Sequence, residues 1–557
     1  MNHHTQAHAH VTATLAAAAW RENLTGLRDR AAIQNNTIHT TTHAGNRLTF
    51  TATLEAFNQI TPYGPVTHNG QPITDPTVLL TLLAPHADPI ELTDAVEGLT
   101  LAFQRHEHIV ADHRRAARRL GAATSIQLAQ HLQQNTNDHL ICRHFEPLAV
   151  TGHHLHPGAR TRLGWNHHDR LAYDLEANGT TDILFLALDR RQAVSTTDGH
   201  GRDIDAVMAT WFPPLTEHLS PDRILIPTHP WQHRHATAGT LRPLTETGHL
   251  TDVPQLRLPA EPTASIRTLV TRTGHYLKCS LDIHITSTRR GISPATAANG
   301  PVLSRTIIDL IGRDATLAPH ITVLPEIAAV SLPHHHPASR DLTCILRAPL
   351  TDHLQPGELA VPATALCARS PISGRHLISE LALQHPHQPA HFLEIYATKL
   401  LDTTIRLATE YGIGMEAHLQ NCIPTFIDAT LHRVILRDLG GARIHLPTLH
   451  RAGYKPPLHP ASVTTTDDIT EAHTKVAYTV LQNHLAAIVT AMEADDLLHH
   501  ATAWKIITDI VADIAIPDAT RNFYTAPTLP HKALLHMRLM GDGDHHVPVD
   551  NPLHQSS

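Results

Sequence analysis

The chain has 557 residues, 41% of them hydrophobic and 17% charged, with a formal net charge of −8. This length exceeds one ordinary hydrophobic core and points to two to four domains, while the negative balance excludes general nucleic-acid binding, which needs a basic excess against phosphates. Five isolated cysteines, Cys142, Cys279, Cys344, Cys367 and Cys422, exclude a disulfide framework and a thiolate zinc site.

The N-terminal stretch MNHHTQAHAHVTATLAAAAW has no basic n-region and only a short apolar run. Neither a signal peptide nor a membrane span is expected, and the cytoplasm is the expected compartment. Residues 1–150 read as mainly helical; from Glu91, apolar residues recur at three and four, with acids early and arginines late. Residues 151–385 read as largely β, because short β-branched runs (DILFLAL, RILIPTHPW, SIRTLV, LTCILRAPL) alternate with Pro/Gly-rich turns. Residues 386–557 start with a helical pattern, HFLEIYATKLLDTTIRLATEYG, that stops at Gly412. Two short strands follow in CIPTFIDATLHRVILRDLGG, then helices from about Glu471 to Ala515. The chain is therefore expected to be α+β. Its 50 histidines are scattered, densest at His334-His335-His336, and lysines number only six. Scatter of this kind reads as compositional bias, with His taking surface positions that other proteins give to Lys, Gln or Asn.

Four segments carry candidate chemistry. In SIRTLVTRTGHYLKCSLDIHITSTRR (265–290), Leu277, Cys279, Leu281, Ile283 and Ile285 alternate with Lys278, Ser280, Asp282, His284 and Thr286. Two strand-like runs flank Thr271-Arg272-Thr273-Gly274, so a hairpin would bring Ser265, Arg267 and Thr268 beside Lys278. Hydroxyls, a guanidinium and an ammonium together suit phosphate oxygens; the alternative is an amphipathic edge hairpin with a wet outer face. Lys278 and Arg290 would lie roughly 40 Å apart in one straight strand, so a shared small ligand requires the chain to turn back after Thr286.

In GIGMEAHLQN (412–421), an extended backbone would project Glu416, His418 and Gln420 together, followed by Asn421. Arg437-Asp438-Leu439-Gly440-Gly441 comes after a turn, and a carboxylate or amide, a hairpin and then Asp before glycines is how ATP enzymes often hold Mg²⁺. The order is similar to that of protein kinases, although no aspartate follows the His to act as hydroxyl base. In GHHLHPGARTRLGW (152–165), His153, His156, Arg160 and Arg162 crowd a segment that cannot be a regular helix. The histidines are either metal ligands lacking an acidic partner or, with the arginines, a surface for a multiply charged carboxylate. IPTHPWQ (226–232) reads as structural punctuation around a buried Trp231.

In this order the segments GHHLHPGAR, HPWQ, SIRT, LKCSLDIHITSTRR, EAHLQN and RDLGG resemble the IucA/IucC family of NRPS-independent siderophore synthetases, as do Lys532 and Asn551-Pro552-Leu553 near the end. The resemblance implies a hand-like architecture with a helical thumb, β-rich fingers and a palm distantly like protein kinases. It implies ATP- and Mg²⁺-dependent adenylation of a carboxylic acid, citrate or a citrate derivative, then condensation with an amine, hydroxylamine or alcohol, in a homodimer. Ser265, Arg267, Thr268, Lys278, Gln420 and Asn421 become ATP contacts. His156, Arg160, Thr286, Arg290 and His418 become carboxylate contacts, Glu416 and Asp438 become Mg²⁺ ligands, and Lys278, Arg290 and His418 become catalytic. His418 either stabilises charge at the reacting carboxyl or takes a proton from the nucleophile. Two positions depart from the family pattern: His154 replaces its proline and Arg160 its lysine, which changes reach and hydrogen-bond geometry. A kinase-like small-molecule phosphotransferase and a histidine-rich metal-binding protein are the competing readings.

Overall fold

The computed structural model describes residues 2–135, 144–177, 179–197, 203–285, 288–541 and 543–554. The first helix, His3–Arg21, starts at Asn2, whose side chain accepts the Thr5 N–H, and buries Ala7, Val11, Leu15, Ala18 and Ala19. The long helix Ile90–Leu120 begins within one residue of the expected start and ends at Gly121, with Arg118 and Arg119 in its last turn. Between these helices lies a six-stranded sheet spanning residues 32 to 72 that the helical reading of this region does not anticipate. Its inward positions are Ile38, Leu48, Phe50 and Ala52, and threonines occupy much of the other face. Asn35 and Asn36, both at positive φ, make the tight turn that starts it.

An eight-stranded sheet forms the middle of the chain. In spatial order its strands are Val194–Thr197, Glu326–Ser331, Thr343–Arg347, Tyr276–Cys279, Thr268–Thr271, Leu250–Pro262, Thr181–Asp189 and Arg223–Thr228. Phe185, Leu188, Ile226, Leu269, Leu277 and Leu346 are in its core. The hairpin is thus central, which removes the edge-hairpin alternative: Tyr276–Cys279 pairs with Thr268–Thr271 on one side and Thr343–Arg347 on the other.

Two details of this stretch differ from the sequence reading. The first strand starts only at Thr268, leaving Ser265 and Arg267 in the preceding turn. The alternating run from His275 is not one strand either. It breaks at Ser280, whose N–H donates to Thr343, and resumes as Leu281–Ile285 in a separate ribbon with Thr288–Arg290. The ribbon lies on Trp165, Tyr173, Trp231 and Ile266. HPWQ does more than punctuate: Gln232 accepts the Asp282 N–H at 2.7 Å and donates to the Asp341 carbonyl at 3.0 Å, anchoring the ribbon.

The last third starts with the helix Pro389–Tyr411, which stops at Gly412 in the left-handed region (φ 70°). It packs on a sheet ordered Ile321–Val323, Thr430–Leu436, Cys422–Ile427 and Leu359–Ala360, and on the helices Ile469–Val476 and His500–Asp513. No helix among the described residues is long and apolar enough to cross a membrane.

The histidines have a more specific use than surface filling. In His153, His156, His229, His418, His459 and His499, Nδ1 accepts the backbone N–H two residues on. An imidazole there replaces the Asp or Asn of a turn or helix cap, and the accepted bond leaves the ring proton on Nε2.

Candidate active site

Lys278 is 2% exposed at the centre of the sheet, directly opposite Thr268. Its ammonium donates to Asp438, a residue held at φ 67° just after the strand Thr430–Leu436. Burial pushes the Lys278 pKa down, while Asp438 pulls it up. For Asp438, burial works toward the neutral acid, but Lys278, Arg347 and Arg267 outweigh it and keep the carboxylate ionised far below its ordinary value. Arg347 sits beside Lys278 in the sheet and pairs with buried Glu326 at 3.0 Å. Gly300 lies so close to Glu326 that a Cβ there would overlap its carboxylate.

The ribbon supplies the turn-back that a shared ligand demands. Leu281 stands opposite Arg290, and Arg267 donates to the Arg290 carbonyl at 2.9 Å. The Arg290 guanidinium is pushed down to about 10, first by burial and then by Arg267 and Arg162. Asp438 and Glu416 act on it in the opposite sense, so Arg290 faces the same polar cleft as both carboxylates. Ser265 lies in the turn, its Oγ accepting from Thr268 at 3.4 Å.

Glu416 reaches this cleft from the short strand Ile413–Gly414, and Gly414 explains how. A Cβ there would collide with the Ala472 backbone, so glycine lets the helix Ile469–Val476 press onto the strand. One turn along that helix, Lys475 meets Glu416 at 3.2 Å. Burial works to raise the Glu416 pKa, but Lys475 and His418 hold it below its ordinary value. The backbone from 418 to 421 is a turn closed by Asn421 N–H to His418 O, not the extended segment expected from the alternation. Asn421 donates to the Glu416 carbonyl at 3.1 Å, and the carbonyl of Gln420 accepts from Arg437 at 3.0 Å. His418 Nδ1 accepts the Gln420 N–H and Nε2 lies 4.0 Å from Glu416. Burial lowers its pKa, so the ring is a neutral donor through Nε2. Among the described residues no group of three or more His, Cys, Asp or Glu gathers as a metal cluster; Glu416 and Asp438 stand as two carboxylates.

The 152–165 segment folds as successive turns. His156 is 2% exposed, and its Nδ1 accepts the Gly158 N–H at 2.9 Å. Its Nε2 is buried without a hydrogen-bond partner among the described residues. Burial, then Arg21, Arg538 and Arg290, push its pKa down to about 3. Arg160 does not present its guanidinium to the cleft as expected of a carboxylate contact. It pairs with Asp174 at 3.2 Å and Glu176 at 2.5 Å, which neutralise it inside the protein. Arg162 shares Asp174 at 3.1 Å, and it is the arginine of this segment that acts on Arg290. Thr286 lies outside the described residues.

Sequence reading missed Lys475, Glu326, Arg347 and the buried pair Arg437–Glu146, 2.6 Å apart. Glu146 also accepts the Ala264 N–H at 2.7 Å and so ties the turn before the hairpin to the Gln420 turn. The scarcity of lysine could have flagged Lys475; nothing local marks the others.

Residues 142–368 match the IucA/IucC family model, and residues 390–547 match a model described as a ferric iron reductase FhuF-like transporter. The D-ornithine–citrate ligase of Staphylococcus aureus is 25% identical over 470 residues, covering 74% of this chain and 70% of its own. The petrobactin biosynthesis protein AsbB of Bacillus anthracis has the same fold, with a TM-score of 0.81 at 18% identity over 100% of this chain and 96% of that one. So does the ATP-bound aerobactin synthetase IucA of Klebsiella pneumoniae, with a TM-score of 0.74 at 18% identity over 97% of this chain and 100% of that one. Of the motifs that carry the resemblance, GHHLHPGAR, HPWQ, SIRT and LKCSLDIHITSTRR lie inside the stretch that matches the IucA/IucC model, EAHLQN and RDLGG lie inside the FhuF-like one, and the chain is similar to members of the IucA/IucC family.

Proposed function

We propose that this chain is an ATP-dependent siderophore synthetase that adenylates a carboxylic acid, citrate or a citrate derivative, and condenses it with an amine, hydroxylamine or alcohol, releasing AMP and pyrophosphate. One observation carries the reading. Lys278 pairs with Asp438, Arg267 and Arg347 act on the same carboxylate, and Arg290, pushed down first by burial and then by Arg267 and Arg162, feels both Asp438 and Glu416 in one largely buried cleft. Such a cleft favours anions. The D-ornithine–citrate ligase supports an acid and an amine as the reactants, and the ATP-bound aerobactin synthetase supports ATP. The hand-like division at residues 1–150, 151–385 and 386–557 belongs to the same proposal.

A carboxylate is a poor acyl donor until one of its oxygens leaves easily. In the first step that oxygen attacks the α-phosphorus; the bond from the α-phosphorus to the bridging oxygen breaks, and pyrophosphate departs. Two anions meet here, so positive charge must already be in place. Lys278, Arg267 and Arg290 supply it without reorganisation, because the sheet and ribbon hold them. Ser265, Thr268, Gln420 and Asn421 line the nucleotide side. The Nε2–H of His156, buried and otherwise unused, donates to a carboxylate of the acid. His418, with its proton on Nε2, donates to charge developing at the reacting carboxyl. In the second step the nucleophile attacks the acyl carbon and loses a proton, the bond from that carbon to the phosphate oxygen breaks, and AMP leaves.

Glu416 and Asp438 fit Mg²⁺: both are oxygen donors kept ionised, and this ion takes one or two carboxylates with phosphate oxygens. When bound it would neutralise phosphate charge. The test is pyrophosphate release with ATP and hydroxylamine over citrate, 2-oxoglutarate and succinate. Pyrophosphate with AMP and a hydroxamate is the expected result; ADP formation, or no activation of any acid, overturns the reading.

A further inference from the structure

Both family matches begin at residue 142 or later, so the first helix lies outside them. Its last residue nonetheless reaches the loop that carries His156. Arg21 is 2% exposed and makes two directed bonds far along the chain. Its Nη2 donates to the Leu155 carbonyl at 2.8 Å, and its Nε donates to His531 Nε2 at 2.9 Å. His531 Nδ1 faces Gln482 Oε1 at 2.7 Å, so that nitrogen carries the proton and Nε2 accepts. Beside it, Glu22, 3% exposed and 3.8 Å from Arg21, accepts the N–H groups of Leu535 and His536. One dipeptide therefore joins the first helix, the 152–158 loop and the segment 531–536.

The loop needs such an anchor. Gly152, Pro157 and Gly158 keep it out of regular structure, and its internal bonds are short-range: His153 with Leu155, His156 with Gly158, and His156 N–H to His153 O. These bonds shape the turns without fixing where the turns sit. Arg21 grips the carbonyl directly before His156, and a planar guanidinium can hold that carbonyl and His531 at once. Lysine, a point donor on a flexible stem, cannot reproduce the fork.

We infer that Arg21 is a positioning residue for acid binding: it holds the Leu155 carbonyl so that the buried Nε2–H of His156 stays aimed at the substrate carboxylate, without touching substrate itself. This rests on the acid-site reading above.

The test uses the full chain with three changes: Arg21→Lys, Arg21→Met, and the double variant Arg21→Met/Glu22→Gln, which removes both buried charges and so guards against simple misfolding. Hydrogen–deuterium exchange over 152–158 should rise in the double variant while 268–279 stays unchanged. In the pyrophosphate assay the KM for the acid should rise about tenfold, the scale of one lost charged hydrogen bond. The KM for ATP should stay within about twofold, and Arg21→Lys should fall between wild type and Arg21→Met. Equal rises in both KM values, or unchanged exchange over 152–158, overturn the inference. If the wild-type chain activates no acid, the acid-site reading fails, and the exchange data alone decide whether Arg21 holds the loop.

Discussion

Lys278 and Asp438 are 160 residues apart in the chain and form one ion pair at the junction of the central sheet and the last third of the molecule. The lysine is fully buried, and the aspartate that meets it has its backbone in the left-handed region. Lys278→Ala and Arg290→Ala should each lower kcat/KM for acid activation by at least about tenfold, since a lost charged contact costs about 1.5–3 kcal/mol. Steady-state pyrophosphate release checks this, with circular dichroism to show that both variants fold. Turnover near wild type in both would remove them from the site.

Gly441 lies against Glu416 so closely that a Cβ would overlap the carboxylate. The obstructed group is the end of a flexible side chain, so Gly441→Ala should displace Glu416 and leave the fold intact. Its Tm should stay within about 3 °C of wild type, corresponding to a cost of about 1 kcal/mol or less. Titration of activity with Mg²⁺ should need several times more metal for half-maximal rate. An unchanged Mg²⁺ requirement would mean that Glu416 takes no part in holding the ion.

Arg437 and Glu146 test stability apart from chemistry. Glu146 is wholly buried and bonds both Arg437 and the Ala264 N–H. Arg437→Met strands a buried carboxylate and should cost about 3–5 kcal/mol, whereas the double change with Glu146→Gln should recover part of it. Urea unfolding measures both. Equal stability of single and double variants would show that the two charges are not coupled.

Acid should destabilise the protein earlier than carboxylate protonation alone would. Burial pushes His113, His156 and His229 down to about 3. The unfolded chain, with histidines near 6.5, takes up protons first. Stability is therefore complete above pH 6.5 and falls as pH drops from 6.5 toward 3, by about 1.4 kcal/mol per pH unit for each such group. Urea midpoints at pH 8.0, 6.5 and 5.5 follow the loss, and His229→Gln should flatten the slope. A midpoint at pH 5.5 equal to that at pH 8.0 contradicts neutral burial of these rings.

Much of the last third was legible in the sequence because its signals are local. The apolar period and Gly412 mark the helix Pro389–Tyr411, and the strand pair around Asp428-Ala429 follows from the turn between β-branched runs. The N-terminal sheet was not read, since threonine-rich alternation is a weak signal beside strong helices on either side. The run from Lys278 to Thr286 misled for another reason. Strict alternation describes one strand equally well as two strands in different sheets, and the break at Ser280 is set by its bond to Thr343.

The sequence by itself determined which residue types were present for chemistry and in what order: the hairpin with Lys278, the run from Glu416 to Asn421, and Asp438 before its glycines. Those are short-range patterns, limited by turn chemistry and side-chain period. Only the tertiary structure decided which charges are available to a ligand. Arg160 is neutralised by Asp174 and Glu176, while Lys475 reaches Glu416 because Gly414 lets a helix press close. Whether a charge is paired depends on what packs beside it across hundreds of residues, and no local pattern encodes that.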